Sequence, residues 1–133
     1  YTSGTCSVSQ KAAEAAYTTD QTCVEDMRKA FERRRDLIVT LAKDIKGLEV
    51  NVPEGAFYLF PKCSSFYGKS DGTHTINNST DFALYLLEVA HVATVGGDAF
   101  GDPDCFRMSY ATSDDNIIEA MKRIKVATEK LKF

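Results

Sequence analysis

The sequence predicts an α/β (α+β) fold in which helices pack on a small mixed or antiparallel sheet. Three observations carry this. Long segments near both ends of the chain repeat apolar residues at three- and four-residue steps, the spacing of a helix with one buried face. Between them lie short apolar or alternating runs ended by proline or glycine, which mark strands. The elements follow in the order helix, helix, strands, helix, strand, strand, helix, an order that layers helices on a small sheet.

Each element has its own signal. Ser7-Val8-Ser9-Gln10 and Thr22-Cys23-Val24-Glu25 match the capping box, in which the Ser/Thr and Glu/Gln side chains satisfy free N–H groups of the first turn. The first opens an Ala-rich helix to about Tyr17. The second opens the longest helix, with Val24, Met27, Phe31, Ile38, Leu41 and Ile45 on one stripe and Gly47 as its stop. Leu48, Val50 and Val52 alternate up to Pro53, and residues 56–60 form a continuous apolar run ended by Pro61, so both segments read as strands. Residues 62–78 are polar, with Gly68 and Gly72, a loop of the length often reserved for function. Ser79 or Thr80 caps a helix carrying Phe82, Ala83, Leu86, Leu87 and Ala90. Residues 92–95 read as a short strand broken by Gly96-Gly97, and residues 105–111 as another. Ser113-Asp114-Asp115 opens the last helix, a cap followed by two acids that complement the helix dipole. Ile117, Ala120, Ile124, Ala127 and Leu131 form its core face.

Composition narrows the function. A chain of 133 residues is one domain by length and buries about two-thirds of its unfolded surface. With 16 Lys+Arg against 19 Asp+Glu the net charge is −3, which leaves no global field for nucleic acid or an acidic membrane. No apolar run approaches the about 20 residues of a bilayer span. Tyr1 is not an initiator methionine and no signal-peptide pattern follows it, so the chain reads as a segment that begins inside a larger protein. Cys6, Cys23, Cys63 and Cys105 form no C-x-x-C and have no neighbouring histidine pair. That argues against a metal site and for free thiols in a reducing, cytoplasmic compartment.

Chemistry concentrates in the run Phe106-Arg107-Met108-Ser109-Tyr110. Period two puts Phe106, Met108 and Tyr110 on one face and Arg107 and Ser109 on the other. An arginine inside an apolar strand either pairs with a carboxylate of its own chain or meets an external anion. Its planar fork suits a bidentate carboxylate, and the strand alone leaves both readings open. In Pro53-Glu54-Gly55-Ala56-Phe57-Tyr58, glycine at a strand entry permits a tight turn or the close approach of another group. Consecutive arginines at 33, 34 and 35 point about 100° apart on a helix, and Glu32 and Asp36 dilute them, so they read as an ion-paired face. His74 and His91 lack a nucleophile partner. The glycines at 96, 97 and 101 make no phosphate-loop pattern.

Taken in order, these segments resemble the fold-type I (class I/II) pyridoxal-phosphate aminotransferases, bacterial-type aspartate aminotransferases in particular. Tyr1-Thr2-Ser3-Gly4 through Ser9-Gln10-Lys11-Ala12-Ala13 resembles their T-S…Q-x-A-A segment, and Phe31-Glu32-Arg33-Arg34-Arg35-Asp36 their F-x-x-R-R-D helix. Pro53 to Pro61 resembles P-x-G-A-F-Y. The stretch from Val92 to Gly101 resembles V-A-V-V-P-G-x-A-F-G, with Gly96 in place of proline, a change expected to relax the backbone. Residues 106–113 resemble the R-L-S-Y-A-x-S strand.

The resemblance implies that residues 1–133 are the C-terminal small domain of that fold, with a large cofactor-binding domain upstream and a homodimer as the full-length enzyme. The implied reaction is ping-pong transfer of an α-amino group from an amino acid to a 2-oxo acid through pyridoxal 5′-phosphate. Arg107 would bind the substrate α-carboxylate, and Gly55, Phe57 and Tyr58 would line the substrate side. Gly97 and Phe100 would shape the facing loop, and the Thr2-Ser3 stretch would approach a neighbouring subunit's site. The family's Schiff-base lysine lies in an S-x-x-K stretch, which this sequence does not contain. The fragment alone is therefore expected to bind no cofactor and to be inactive, with no catalytic residue of its own. An alternative is the aminotransferase-like effector domain of a DNA-binding transcription regulator.

Overall fold

In the computed structural model, which describes residues 4–133, the chain divides into two compact units, the first ending at Ala30 and the second spanning Phe31–Phe133. The Thr2-Ser3 stretch lies outside the described residues. In the first unit, α1 (Ser7–Thr18) buries no residue. Val24 and Met27, in the opening turns of α2 (Thr22–Lys43), are 51% and 55% exposed. The stripe predicted along α2 is therefore buried only in the second unit, where Ile38, Val39 and Ala42 enter the core.

Neither helix start takes the predicted form. Cys6 occupies the cap position of α1 without a side-chain bond, and the Gln10 amide turns back to the Thr5 carbonyl, 2.8 Å away. At α2, the Asp20 carboxylate accepts from both the N–H and the hydroxyl of Thr22, at 3.2 and 2.7 Å. A carboxylate is the stronger acceptor and displaces the box. Gly47, with φ +98°, belongs to a turn beyond the last α2 residue, Lys43.

Among the described residues the sheet has three antiparallel strands in the order β1-β3-β2: β1 (Tyr58–Leu59), β2 (Val95–Gly96) and β3 (Phe106–Ser109). Tyr58 pairs with Ser109 and Leu59 with Met108, while Val95 pairs with Arg107 and Gly96 with Phe106. All strands are shorter than the sequence predicts. Residues 48–52 contribute only a Glu49–Lys62 bridge, in which each N–H bonds the other residue's carbonyl. Ala56 at φ +60° interrupts the run 56–60. His91 takes a left-handed conformation, and the Val92 N–H still bonds the Leu86 carbonyl, so β2 starts three residues late.

Helix α3 (Ser79–Tyr85) continues into a π-helical turn (Leu86–Ala90) and packs on β2 and β3. Its cap is Asn78, which accepts from the Asp81 N–H at 2.8 Å. The predicted caps, Ser79 or Thr80, instead lie inside the first turn. Helix α4 (Asp114–Thr128) starts as predicted, with Ser113 accepting from the Asn116 N–H. Phe82 joins the layers, stacked on Phe66 and edge-on to Phe106, both at 5.0 Å between centroids. The arginine run of α2 is used internally: Arg33 grips Asp114 with two N–H groups at 3.0 and 3.2 Å. Arg34 stands 3.5 Å from the same carboxylate, too poorly aligned for a hydrogen bond. No helix among the described residues is long and apolar enough to cross a membrane.

The segment 62–78, read from the sequence as a polar loop, is folded in. Phe66 and Ile76 are buried, Gly68 bonds Ile76, and Ser70 exchanges two backbone bonds with Lys132. His74 fastens it, with Nδ1 3.2 Å from Asp71 and Nε2 3.0 Å from Glu88. The bonds to Asp71 and then to Glu88 hold the imidazole above its ordinary value of 6.5. N–H groups of His74 and Thr73 pull Asp71 down to about 2. The histidine's contribution is complete below pH 6.5 and is lost as pH rises through its raised value. That of Asp71 is present above 3.8 and is lost as pH falls through about 2. The stability difference between wild type and His74→Gln, read by chemical denaturation, should be largest between pH 3.8 and 6.5. It should shrink in alkali. A difference independent of pH would contradict the latch.

Candidate functional site

Arg107 sits at the centre of β3, the middle strand, where both neighbouring strands can supply groups to its face. The alternation is as predicted: Phe106, Met108 and Tyr110 are buried, Arg107 is half-buried and Ser109 is exposed. Its Cζ lies 4.3 Å from the centroid of the Tyr58 ring on β1 and 4.1 Å from that of Phe100, on the 3-10 turn (Gly97–Phe100) following β2. Phe60 meets Phe100 edge-on at 6.1 Å, completing an aromatic collar. No described Asp or Glu pairs with Arg107. Aromatic contact satisfies the π face of a guanidinium and leaves its in-plane N–H groups for an acceptor. The chain thus holds a cation in a fixed plane with its donor fork available.

The four residues expected to meet substrate are not equally placed. Tyr58 and Arg107 are in direct contact. Phe57 stands one step away, its ring 4.5 Å from Tyr58 and 5.9 Å from Phe31. Gly55 is exposed, with no described atom beyond its own chain neighbours within 4 Å of where its Cβ would be. The positive φ of that turn falls on Ala56, whose carbonyl accepts the Tyr110 hydroxyl at 3.0 Å. Gly96, which stands where the family has proline, keeps a proline-like φ of −59°. Its small size answers to Thr80, which a Cβ would meet at 2.8 Å. Phe100 touches Arg107 directly, where the sequence gives it only a loop-shaping place.

Other reactive groups are ill suited to catalysis. Burial pushes the Cys63 thiol up to about 11 and the Cys105 thiol up to about 12, so neither is a thiolate at neutral pH. Among the described residues no group of three or more His, Cys, Asp or Glu is arranged to hold a metal. Lys62, close to this region through its bridge to Cys105, pairs with Asp104 at 3.2 Å, which raises its pKa. An amine that is to attack a carbonyl needs the opposite shift.

Fold and site define an α+β chain in which an aromatic-flanked arginine has no described carboxylate partner. A family model described as aminotransferase class I and II matches residues 1–124. The chain belongs to that family. It is 46% identical over 131 residues to the aspartate aminotransferase of Rhizobium meliloti (strain 1021), covering 98% of this chain and 32% of that protein. It is 47% identical over 137 residues to the bifunctional aspartate aminotransferase and glutamate/aspartate-prephenate aminotransferase of Petunia hybrida, covering 99% and 28%. The crystal structure of the aspartate aminotransferase from Rhizobium meliloti superposes with a TM-score of 0.92 at 45% identity, over 98% of this chain and 33% of that one. The chain thus spans about a third of the length of these relatives.

Proposed function

We propose that residues 1–133 act as the substrate-clamping C-terminal domain of an aspartate aminotransferase-like enzyme, which moves the α-amino group of an amino acid to a 2-oxo acid. The observation that carries this is the fork of Arg107, held between Tyr58 and Phe100 with no carboxylate partner among the described residues. The fork accepts the substrate α-carboxylate, and the rings hold its plane so that the carboxylate enters in one orientation. Fixed orientation contributes several kcal/mol toward lowering the barrier of the chemical step. Phe57 and Gly55 line the approach to that carboxylate, and the open space beside Gly55 admits groups from outside this chain.

When bound, pyridoxal phosphate supplies the electron sink for amino-group transfer. Among the described residues Lys62 does not suit it, because its amine is paired with Asp104 at 3.2 Å and held charged. The remaining two-thirds of the relatives' length supports a cofactor-binding domain elsewhere in the full-length protein, and a homodimer is proposed for it. Free thiols fit a cytoplasmic setting. The relatives, aminotransferases by name, lend nothing to an effector domain of a DNA-binding regulator.

The test is amino transfer by the full-length protein given pyridoxal phosphate, aspartate and a 2-oxo acid. Formation of the new amino acid is expected, and failure with every amino acid tried would overturn the reading. Residues 1–133 alone should develop no stoichiometric visible absorbance band with pyridoxal phosphate. A stable band would place the amine within this chain.

A further inference from the structure

Ser79 is fully buried at 0% exposure, and helix capping does not explain it, because Asn78 already caps α3. Its Oγ instead accepts the Gly97 N–H at 3.0 Å, across 18 residues of chain. Gly97 begins the 3-10 turn that ends at Phe100, and Phe100 is one of the two rings on Arg107. The far limb of the same loop is held separately, the Tyr67 hydroxyl donating to the Pro103 carbonyl at 2.7 Å. One buried side chain thus ties the Gly97 end of the loop to the start of α3. Thr80 closes the same seat by packing against Gly96.

We propose that Ser79 is a positioning residue for the carboxylate clamp, acting through the Gly97–Phe100 turn to hold the Phe100 ring against Arg107. This rests on the proposed function above. Without the Ser79 acceptor the turn loses its fixed seat, the ring moves off the guanidinium, and the fork rotates among orientations that do not match a carboxylate. Ser79 meets no substrate itself. Its effect therefore falls on substrate affinity and leaves cofactor binding intact.

The test uses the full-length protein with pyridoxal phosphate and compares Ser79→Ala, Phe100→Leu and the double variant. Each single change is expected to raise KM for the amino acid about tenfold, with the cofactor spectrum unchanged. The double variant should be no worse than the more impaired single one, since both act through one ring. A lower denaturation midpoint with wild-type KM in Ser79→Ala would reduce Ser79 to a structural role, and additive effects would break the link to Phe100. Should Ser79→Ala fail to fold, Ser79→Cys, similar in volume and a weaker acceptor, reads the same KM change, and wild-type KM there overturns the proposal. Arg107→Lys separates the two ideas. If it is impaired while Ser79 and Phe100 variants keep a normal KM, only the positioning role fails; wild-type kinetics in Arg107→Lys remove the clamp itself.

Discussion

Replacing Arg107 with lysine in the full-length protein is expected to lower kcat/KM about 10- to 150-fold while pyridoxal phosphate remains bound. Lysine keeps the positive charge but offers a point ammonium in place of two parallel N–H donors. It also gives up the planar contact with Tyr58 and Phe100, 4.3 and 4.1 Å from the guanidinium carbon. A charge-assisted hydrogen bond is worth about 1.5–3 kcal/mol, and each 1.36 kcal/mol is tenfold in rate, which sets the range. Substrate affinity and turnover should both fall, because a monodentate carboxylate is bound more weakly and is free to swivel. Steady-state kinetics with aspartate, and the cofactor's absorbance spectrum, measure the two parts separately. Wild-type kinetics would remove the clamp role, and loss of the cofactor band would assign Arg107 to cofactor binding.

The fold was legible where neighbours in sequence decide the structure. Period two along residues 106–110 places Arg107 correctly because alternation is a local property of a strand. Ser113 caps α4 as predicted because no better acceptor precedes it. Asp20 and Asn78 do precede the residues expected to cap α2 and α3, and they take that place. Strand lengths were less legible, since they depend on partners. In residues 48–52 only Glu49 finds a backbone partner, Lys62, so the segment never pairs as a strand. The candidate site divides in the same way. Arg107 and Tyr58 carry recognisable motifs, whereas the contact of Phe100 with Arg107 depends on the strand order β1-β3-β2, which no local pattern encodes. Ser79 looked like a cap because its serine begins a helix. Its actual partner, Gly97, lies on another element.

Gly97→Ala is expected to be the most damaging small substitution in the second unit, costing about 3 kcal/mol or more, the upper end of what overpacking a core does. A Cβ on Gly97 would stand 2.0 Å from the Asp102 carbonyl oxygen and 2.3 Å from that of Cys105. Both are backbone atoms that cannot swing aside as a side chain would. Moving the Cys105 carbonyl disturbs the start of β3, and moving the Gly97 backbone breaks the buried bond to Ser79. The control is Gly101→Ala in the same loop, where φ is +83° but nothing lies within 4 Å of the added methyl. That change carries only the left-handed backbone cost of about 1–2 kcal/mol. Urea denaturation midpoints of the two variants should therefore differ clearly, with Gly97→Ala the lower. Equal midpoints would mean that the 97–105 loop yields without resistance. A loop that yields could not hold Phe100 in a fixed place, so the comparison measures both the packing of the turn and the rigidity that Arg107 needs from it.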